Sequence, residues 1–281
     1  MRFFLCAFWF CFVIIGEAQA ASTSPANAIP FEYFEGLLWV QVQVPQSTRP
    51  LNFILDTGAD VSVINAGTVK ALRLKTGRCI SVQGVHATMV GHWPVRLTAK
   101  AGGLVLPSEY LALDLGKLAH SCGRPLDGLL GADFVRGRVV QIDFASRQIR
   151  FPDEVSPVKS DTVVPLELRC NSICVSIGVN DAKNQWVRLD TGCATALQWV
   201  TADEKMSAKS EKTAIGLAEL NIPQTATTVF LGGQRIDQVP TGIHHNSIFP
   251  GEAGLLGNDL LSRFKTVTID TKSARLVLGP I

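Results

Sequence analysis

Two short acidic motifs contain residues that could do chemistry together. The tripeptide Asp-Thr-Gly begins at Asp56 and again at Asp190, each time after an apolar segment, so we expect each aspartate at the end of a buried strand. Two such carboxyl groups side by side could not both ionise easily, and the pair would hold one proton over a wide pH range. One carboxylate would then act as a base and the other as an acid.

The residues that follow each aspartate suit a close meeting of two loops. Gly58 and Gly192 have no side chain, so the backbone can turn tightly there and another segment can approach. Thr57 and Thr191 carry hydroxyl groups that can form hydrogen bonds across to the equivalent loop. We predict that these four residues support the loops and that the two aspartates are catalytic, activating a water for amide hydrolysis. This chemistry needs no metal, other cofactor or covalent acyl-enzyme.

The motif is one of five landmarks that occur twice in the same order. A lone Asp-Thr-Gly would be weak support, but an ordered set at nearly constant spacing indicates an internal duplication. The repeated pairs are segments 53–59 and 187–193, Gly84 and Gly216, the double glycines at 102–103 and 232–233, the Gly-Leu-Leu-Gly segments 128–131 and 254–257, and segments 140–143 and 267–270.

The local patterns around these landmarks are mostly those of β-strands. Residues 38–44 alternate with period two, as a half-buried strand does, and residues 266–269 and 275–278 flank a turn. One short helix is expected in each copy, near Gly131 and Gly257. We predict an all-β protein of two similar, β-barrel-like lobes related by a pseudo-twofold axis. The predicted bounds are 30–152 for the N-terminal lobe, 153–162 for a polar, proline-containing linker, and 163–281 for the C-terminal lobe.

At these residues the chain resembles the pepsin and retropepsin superfamily of aspartic proteases. The segment Leu55–Ile64 (LDTGADVSVI) is similar to the retropepsin active-site loop, and each Gly-Leu-Leu-Gly segment is similar to the element that supports that loop. The resemblance extends over about residues 35 to 279. It implies a single-chain, two-lobed, pepsin-like fold and an endopeptidase that binds an extended stretch of a peptide or protein substrate between the lobes.

The resemblance also implies that two hairpins lie nearest the cleft, at residues 84–90 and 215–221. There are two departures from the family pattern. Cys193 stands where small or hydroxyl residues are usual, and we expect it to be a small buried side chain; neither hairpin contains a tyrosine. The predicted substrate-cleft residues are Gly84, Val85, Gly216 and Leu217.

Other readings of the same residues remain open at this point. The two aspartates could be turn residues of a catalytically inactive pepsin-fold module that binds peptides or proteins. The copies could also pair between chains as a homodimer, although two motifs in one chain favour a monomer. The other repeated aspartates are expected to be structural, with Asp133 and Asp259 capping helix N-termini and Asp143 and Asp270 at strand ends.

Composition limits the partners and the compartment. A formal net charge of +2 without a run of lysines or arginines argues against nucleic-acid binding and a polybasic membrane anchor. Residues 1–20 have the pattern of a signal peptide cleaved after Ala20, with an uncleaved anchor as the alternative. We expect export to the periplasm or the cell exterior, and no stable membrane insertion after cleavage.

Cysteine and histidine usage completes the expectations. Disulfides are plausible after export, and Cys170 and Cys174 are close enough in sequence to pair. The adjacent His244 and His245 would point to opposite faces of a strand, so we expect no metal site there. Motifs of serine hydrolases, zinc proteases and nucleotide-binding proteins are absent from the sequence. Cleavage of the signal would leave five cysteines: Cys79, Cys122, Cys170, Cys174 and Cys193.

Overall fold

The computed structural model describes residues 28–85, 87–202, 210–215 and 218–281, and within them the protein is mostly β-sheet with four short helices. The N-terminal elements are β1 (Ala28–Phe34), β2 (Leu37–Val42), β3 (Leu51–Leu55), β4 (Val63–Asn65), α1 (Ala66–Ala71), β5 (Arg78–Gly84), β6 (Ala87–Arg96), β7 (Lys100–Ala101), β8 (Leu104–Val105), β9 (Glu109–Leu113), α2 (Gly116–Ser121), β10 (Gly128–Leu130), α3 (Ala132–Val135), β11 (Val139–Asp143) and β12 (Gln148–Arg150). The C-terminal elements are β13 (Thr162–Arg169), β14 (Ser172–Val179), β15 (Gln185–Leu189), β16 (Leu197–Val200), β17 (Ser210–Ile215), β18 (Ala218–Leu231), β19 (Gln234–His244), β20 (Gly254–Leu256), α4 (Asn258–Leu261), β21 (Thr266–Asp270) and β22 (Arg275–Leu278).

The same arrangement of three strands occurs in both halves of the chain. Strand β10 pairs in parallel with β3 and antiparallel with β4, so it lies between the two strands that flank the first Asp-Thr-Gly loop. Strand β20 pairs in parallel with β15 and antiparallel with β16, around the second loop. Each Gly-Leu-Leu segment is therefore the central strand beneath one acidic loop.

A six-stranded antiparallel sheet joins the two lobes, in the order β1-β12-β11-β21-β22-β13. At its centre, β11 pairs with β21 from Val139 opposite Asp270 to Asp143 opposite Thr266. The register places equivalent positions of the two repeats symmetrically about the pair Gln141 and Thr268. A local twofold axis therefore passes between the two central strands.

The double glycines form matching tight turns. Gly102 and Gly103 have φ of 52° and 85°, and Gly232 and Gly233 have φ of 59° and 84°. These left-handed conformations favour glycine because a Cβ atom would be strained there. The similar φ angles of the two turns, together with the repeated strand order, agree with the predicted all-β fold of two similar lobes.

Strand β2 differs from its predicted half-buried character. Its residues Leu38, Val40 and Val42 point into the main hydrophobic core, as the alternation predicted. Leu37 and Trp39 on the other face are buried too, because a second apolar cluster built partly from β9 and β10 covers that face. Both faces of the strand beside the first acidic loop are thus shielded from water.

The predicted helices at Gly131 and Gly257 are present as α3 and α4, whereas α1 and α2 were not predicted. The expected capping role of Asp133 and Asp259 is wrong, because the N-cap positions belong to Gly131 and Gly257. Both aspartates lie within the first helical turn instead, where a negative charge interacts favourably with the free N–H groups.

The five cysteines of the described residues are all free thiols. Cys174 is buried within β14 while Cys170 is exposed in the turn before it, so the considered pairing of these two residues does not form. The predicted signal segment, residues 1–20, lies outside the described residues, and the bounds predicted for lobes and linker stay a prediction. Among the described residues, no helix has the length and apolar character needed to cross a membrane.

Candidate active site

Each acidic loop is fixed by backbone hydrogen bonds to the central strand beneath it. The N–H of Asp56 donates to the carbonyl oxygen of Leu130 at 2.8 Å, and that of Asp190 donates to Leu256 at 2.9 Å. A second bond closes each loop from the helix side: Ala132 N–H to Ala59 O at 2.7 Å, and Asn258 N–H to Cys193 O at 2.8 Å. The aspartates therefore leave the ends of β3 and β15 on rigid, matching supports.

The two loops are held together by their threonines. The hydroxyl of Thr57 donates to the carbonyl oxygen of Leu189 at 2.6 Å, and that of Thr191 donates to Leu55 at 2.8 Å. Each hydroxyl oxygen also accepts from the N–H of the opposite threonine, at 3.0 and 3.1 Å. Four buried hydrogen bonds thus cross the boundary between the lobes, in the manner predicted for Thr57 and Thr191.

The carboxyl groups of Asp56 and Asp190 lie side by side above this contact. In each loop the glycine N–H donates to the Oδ1 atom of its own aspartate, at 3.0 Å for Gly58 and 2.9 Å for Gly192. A Cβ atom built on Gly58 would overlap the carboxyl group of Asp190, and one on Gly192 would overlap that of Asp56. Each carboxyl group therefore packs over the glycine of the opposite loop, which explains why both positions need glycine.

The environment favours retention of a proton by this pair. Burial raises the pKa of both carboxyl groups, and the neighbouring charge of Asp190 raises that of Asp56 further. For Asp190, the guanidinium of Arg188 is the largest influence in the opposite direction, followed by the N–H of Gly192. The two groups titrate as one unit, which can release one proton and keep the other.

A buried polar chain runs from the second loop into the C-terminal lobe. The Cys193 sulfur lies 3.1 Å from the hydroxyl of Thr195, to which the Gln198 amide donates at 2.7 Å. The Gln198 Oε1 atom lies 2.8 Å from Nε2 of His244. Cys193 is buried as expected, and burial raises its pKa to about 12, so the thiol stays neutral. The sequence pattern did not predict the contact between Gln198 and His244, although a glutamine inside an apolar strand is a signal for a buried partner.

A buried ion pair next to the loops was not predicted from the sequence either. Arg188 in β15 contacts Glu252, which precedes β20, and both side chains are more than nine-tenths buried. The arginine reaches across the lobe boundary and donates to the carbonyl oxygen of Gly58 at 2.7 Å. Its position in an apolar strand was the available signal, since the first repeat has Ile54 there.

The predicted cleft hairpins are only partly described. Gly84 is the last residue of β5, and Val85 follows it in the turn toward β6. Val85 is buried against Ile222, Ile248 and Leu255, so the hairpin of the N-terminal lobe reaches residues of the C-terminal lobe. The predicted residues Gly216 and Leu217 lie outside the described residues; strands β17 and β18, on either side of them, form an antiparallel hairpin.

A bilobal β-fold in which two Asp-Thr-Gly loops meet about a twofold axis defines the pepsin-like class of aspartic protease. Residues 40–134 match the family model described as "Aspartyl protease". The aspartic proteinase from Irpex lacteus has a similar structure, with a TM-score of 0.59 at 13% identity over 91% of this chain and 97% of that one.

A curated sequence relative points the same way. Over 143 residues, 49% of this chain, the sequence is 26% identical to the "Retrovirus-related Pol polyprotein from transposon 412" of Drosophila melanogaster, of which the match covers 11%. The predicted resemblance to the pepsin and retropepsin superfamily is confirmed. Family and fold support aspartic protease activity in general.

Proposed function

We propose that the protein is an aspartic endopeptidase in which Asp56 and Asp190 share one proton and activate a water between them. One observation carries the proposal: the two aspartates lie on equivalent loops that are hydrogen-bonded to each other through Thr57 and Thr191. The arrangement keeps two carboxyl groups in contact at the meeting point of the lobes, where burial raises the pKa of both.

The chemistry follows from a pair that is singly protonated. The ionised carboxylate accepts a proton from the water as the water oxygen bonds to the carbonyl carbon of the scissile amide. The protonated carboxyl group donates a hydrogen bond to the carbonyl oxygen and stabilises the negative charge that develops there. A proton then passes from the pair to the departing nitrogen, the C–N bond breaks, and the pair is left with one proton as before.

The substrate in this proposal is an extended peptide or protein segment lying between the lobes. The β5–β6 hairpin supports that placement, because Val85 near its tip contacts residues of the C-terminal lobe. A segment bound beneath this hairpin would be covered from one side and would present a backbone amide to the dyad. Substitution of Val85 by Ser should therefore raise KM more than it lowers kcat.

The test is cleavage of an unstructured protein, with products identified by mass spectrometry. Asp56→Asn and Asp190→Asn should each lower kcat/KM by about 10²–10⁴-fold, since either change removes one partner of the acid–base pair. The exposed Asp153→Asn is the matched control and should leave the rate unchanged. Full turnover by either dyad variant would contradict the shared-proton mechanism.

Binding of a statine-type transition-state analogue separates slow catalysis from a silent binding module. An active enzyme should bind the analogue more tightly than a peptide substrate, and both dyad variants should lose that preference. Peptide binding by the wild type without cleavage, and without preference for the analogue, would favour the inactive module. We also propose that the chain acts as an exported monomer, which cell fractionation and light scattering would test.

A further inference from the structure

Arg188 is a clear chemical difference between the two loop supports. Strand β15 continues directly into Asp190, and side chains two positions apart on a strand leave the same face. The arginine therefore lies on the same side of the strand as the aspartate. In the first repeat the equivalent pair is Ile54 and Asp56, with an apolar side chain in place of the guanidinium.

The arginine's partner also replaces an apolar residue of the first repeat. Glu252 stands two residues before the second Gly-Leu-Leu segment, where the first repeat has Leu126. Ile54 and Leu126 are buried in one apolar cluster of the N-terminal lobe. The duplicated fold thus holds an apolar pair on one side and an ion pair on the other. A buried ion pair is not needed for stability at a site where the other copy uses two aliphatic side chains.

The guanidinium of Arg188 is fixed by three groups. Its Nε and Nη2 atoms donate to the two carboxylate oxygens of Glu252, at 2.8 and 2.7 Å, in a bidentate pair. Its Nη1 atom donates to the carbonyl oxygen of Gly58 at 2.7 Å. Its Cζ atom lies 3.7 Å from the centre of the Phe249 ring. An arginine held this firmly can fix the position of the groups it contacts, and its positive charge stays at one place relative to them.

The bond to Gly58 acts on the loop of the other lobe. The carbonyl of Gly58 belongs to the same peptide group as the N–H of Ala59, which donates to the Oδ1 atom of Asp56 at 3.2 Å. A donor on the carbonyl side polarises that peptide group and strengthens its N–H as a donor. For the second loop, the residue equivalent to Arg188 is Ile54, whose aliphatic side chain cannot donate a hydrogen bond.

Among the residues that the structure describes, the titratable groups that influence Asp190 are Asp56, Arg188 and Cys193. Those that influence Arg188, besides Asp190, are Glu252, Asp60 and Cys174. The Asp60 carboxylate lies 3.6 Å from Nη1 and is half-exposed. Glu252 is therefore the main group that offsets the positive charge of Arg188. The part of that charge that Glu252 does not offset acts on Asp190.

We propose that Arg188 is a positioning residue that makes the two halves of the dyad inequivalent, holding the Asp56 loop in place and leaving the negative charge of the pair on Asp190. This inference rests on the proposed function. It assigns Asp190 as the base that accepts the proton of water and Asp56 as the acid, with Glu252 setting how strongly the arginine acts. The direction in which Arg188 lowers the pKa of Asp190 agrees with the geometry.

The test is the acid limb of the kcat/KM pH profile, which reports ionisation of the base in the free enzyme. In Arg188→Met the positive charge is gone, Asp190 ionises less easily, and the limb should move to higher pH by about one unit. In Glu252→Gln the guanidinium is no longer offset, so the limb should move to lower pH. A purely structural role would not give opposite shifts.

Three further variants keep the test decisive if a single change impairs folding. The double variant Arg188→Ile with Glu252→Leu copies the apolar pair of the first repeat, so it should fold and should show the same upward shift as Arg188→Met. Arg188→Lys keeps the charge but loses the planar fork, so kcat should fall while the limb stays in place. Arg263→Met removes an arginine whose partner is the exposed side chain of Asp259, and it should change neither quantity.

The outcomes separate this inference from the proposed function. Cleavage by the wild type with an unmoved limb in the double variant, or with shifts of the same sign in Arg188→Met and Glu252→Gln, would overturn the role of Arg188 alone. A wild type that neither cleaves protein nor binds a statine-type analogue would overturn both. Calorimetric binding of the analogue across pH provides a readout that does not depend on turnover.

Discussion

At the scale of single residues, the geometry of the dyad depends on the two glycines as much as on the aspartates. A methyl group on Gly192 would occupy the space of the Asp56 carboxyl group, and one on Gly58 that of Asp190. We expect Gly192→Ala and Gly58→Ala each to lower kcat/KM by about 10²-fold or more, because a displacement of about 1 Å is enough for such a loss. Steady-state kinetics with a peptide substrate would measure it.

Gly67→Ala is the control for these substitutions. Gly67 lies in helix α1, and the nearest neighbour to a new Cβ there is the Asn65 Oδ1 atom at 3.7 Å, not a carboxyl group of the dyad. The Gly67→Ala variant should keep full activity and gain up to about 1 kcal/mol of stability, since alanine is the better helix former. An active, normally folded Gly192→Ala enzyme would show that the carboxyl groups do not pack as described.

The dyad could be predicted from the sequence because its residue types are unusual and occur twice. The loop support by Thr57 and Thr191 was predictable for the same reason. Arg188 and Gln198 were not predicted, because each lies in an apolar strand and its partner comes from a distant segment. Comparing the two repeats position by position would have identified Arg188, where Ile54 is the ordinary residue.

At the scale of elements, the turns that close the β11–β12 and β21–β22 hairpins carry matching aspartates. Asp270 accepts from the N–H of Ser273 at 2.9 Å and from Nε of Arg275 at 3.0 Å. Asp143 makes the equivalent bonds, with Arg150 as its arginine. Both positions were predicted to be structural, and the contacts show a turn-closing role. Asp270→Ala should lower the free energy of unfolding by about 1–3 kcal/mol at neutral pH, as measured by denaturant titration.

The pH dependence of this effect has a defined sign. Burial works to raise the pKa of Asp270, but the N–H of Ser273 and the Arg275 guanidinium outweigh it, so the pKa in the fold is lowered. The stabilisation is present above the unfolded pKa of about 3.9 and is lost as the pH falls through the folded value. The cost of Asp270→Ala should therefore shrink in acid. The exposed Asp181→Ala should show neither effect; a cost that does not change with pH would contradict the role of the charge.

Element boundaries were less predictable than the turns. Helices α1 and α2 have only six residues each, which is too short to give a clear helical period in the sequence, although Asn65 caps the start of α1. Strand β2 was predicted to be half-buried because the alternation of its residues says nothing about what covers the second face. That information resides in β9 and β10, far along the chain.

At the scale of the whole molecule, the duplication made the two lobes and their twofold relation predictable. The sheet that joins them was not, because the register of β11 on β21 depends on two strands from different repeats. This register bears on the proposed function. The pairing of β11 with β21 is one hydrogen-bonded junction across the axis, and the threonine contacts between the loops are another. Together they fix the distance between the two aspartates.

The buried pair of carboxyl groups at this junction lowers the stability of the folded protein at neutral pH. Burial raises the pKa of Asp56 and Asp190 above the values of an unfolded chain, so the folded state binds more protons than the unfolded state between those limits. Stability from these groups is present in acid and falls as the pH rises through the folded pKa values, opposite in sign to Asp143 and Asp270. The fold carries a negative charge at its centre that favours unfolding at neutral pH.

Removing that charge should therefore stabilise the folded protein. Asp190→Asn keeps a carbonyl oxygen to accept from the N–H of Gly192 but cannot ionise, so at pH 7 it should melt roughly 2–4 °C above the wild type. The difference should vanish below about pH 3, where the wild-type pair is protonated in both states. Calorimetry of the wild type, Asp190→Asn and the control Asp153→Asn across pH would measure it. A dyad variant that melts below the wild type at pH 7 would mean that the ionised pair is stabilised by the site, and the raised pKa on which the shared proton depends would be wrong.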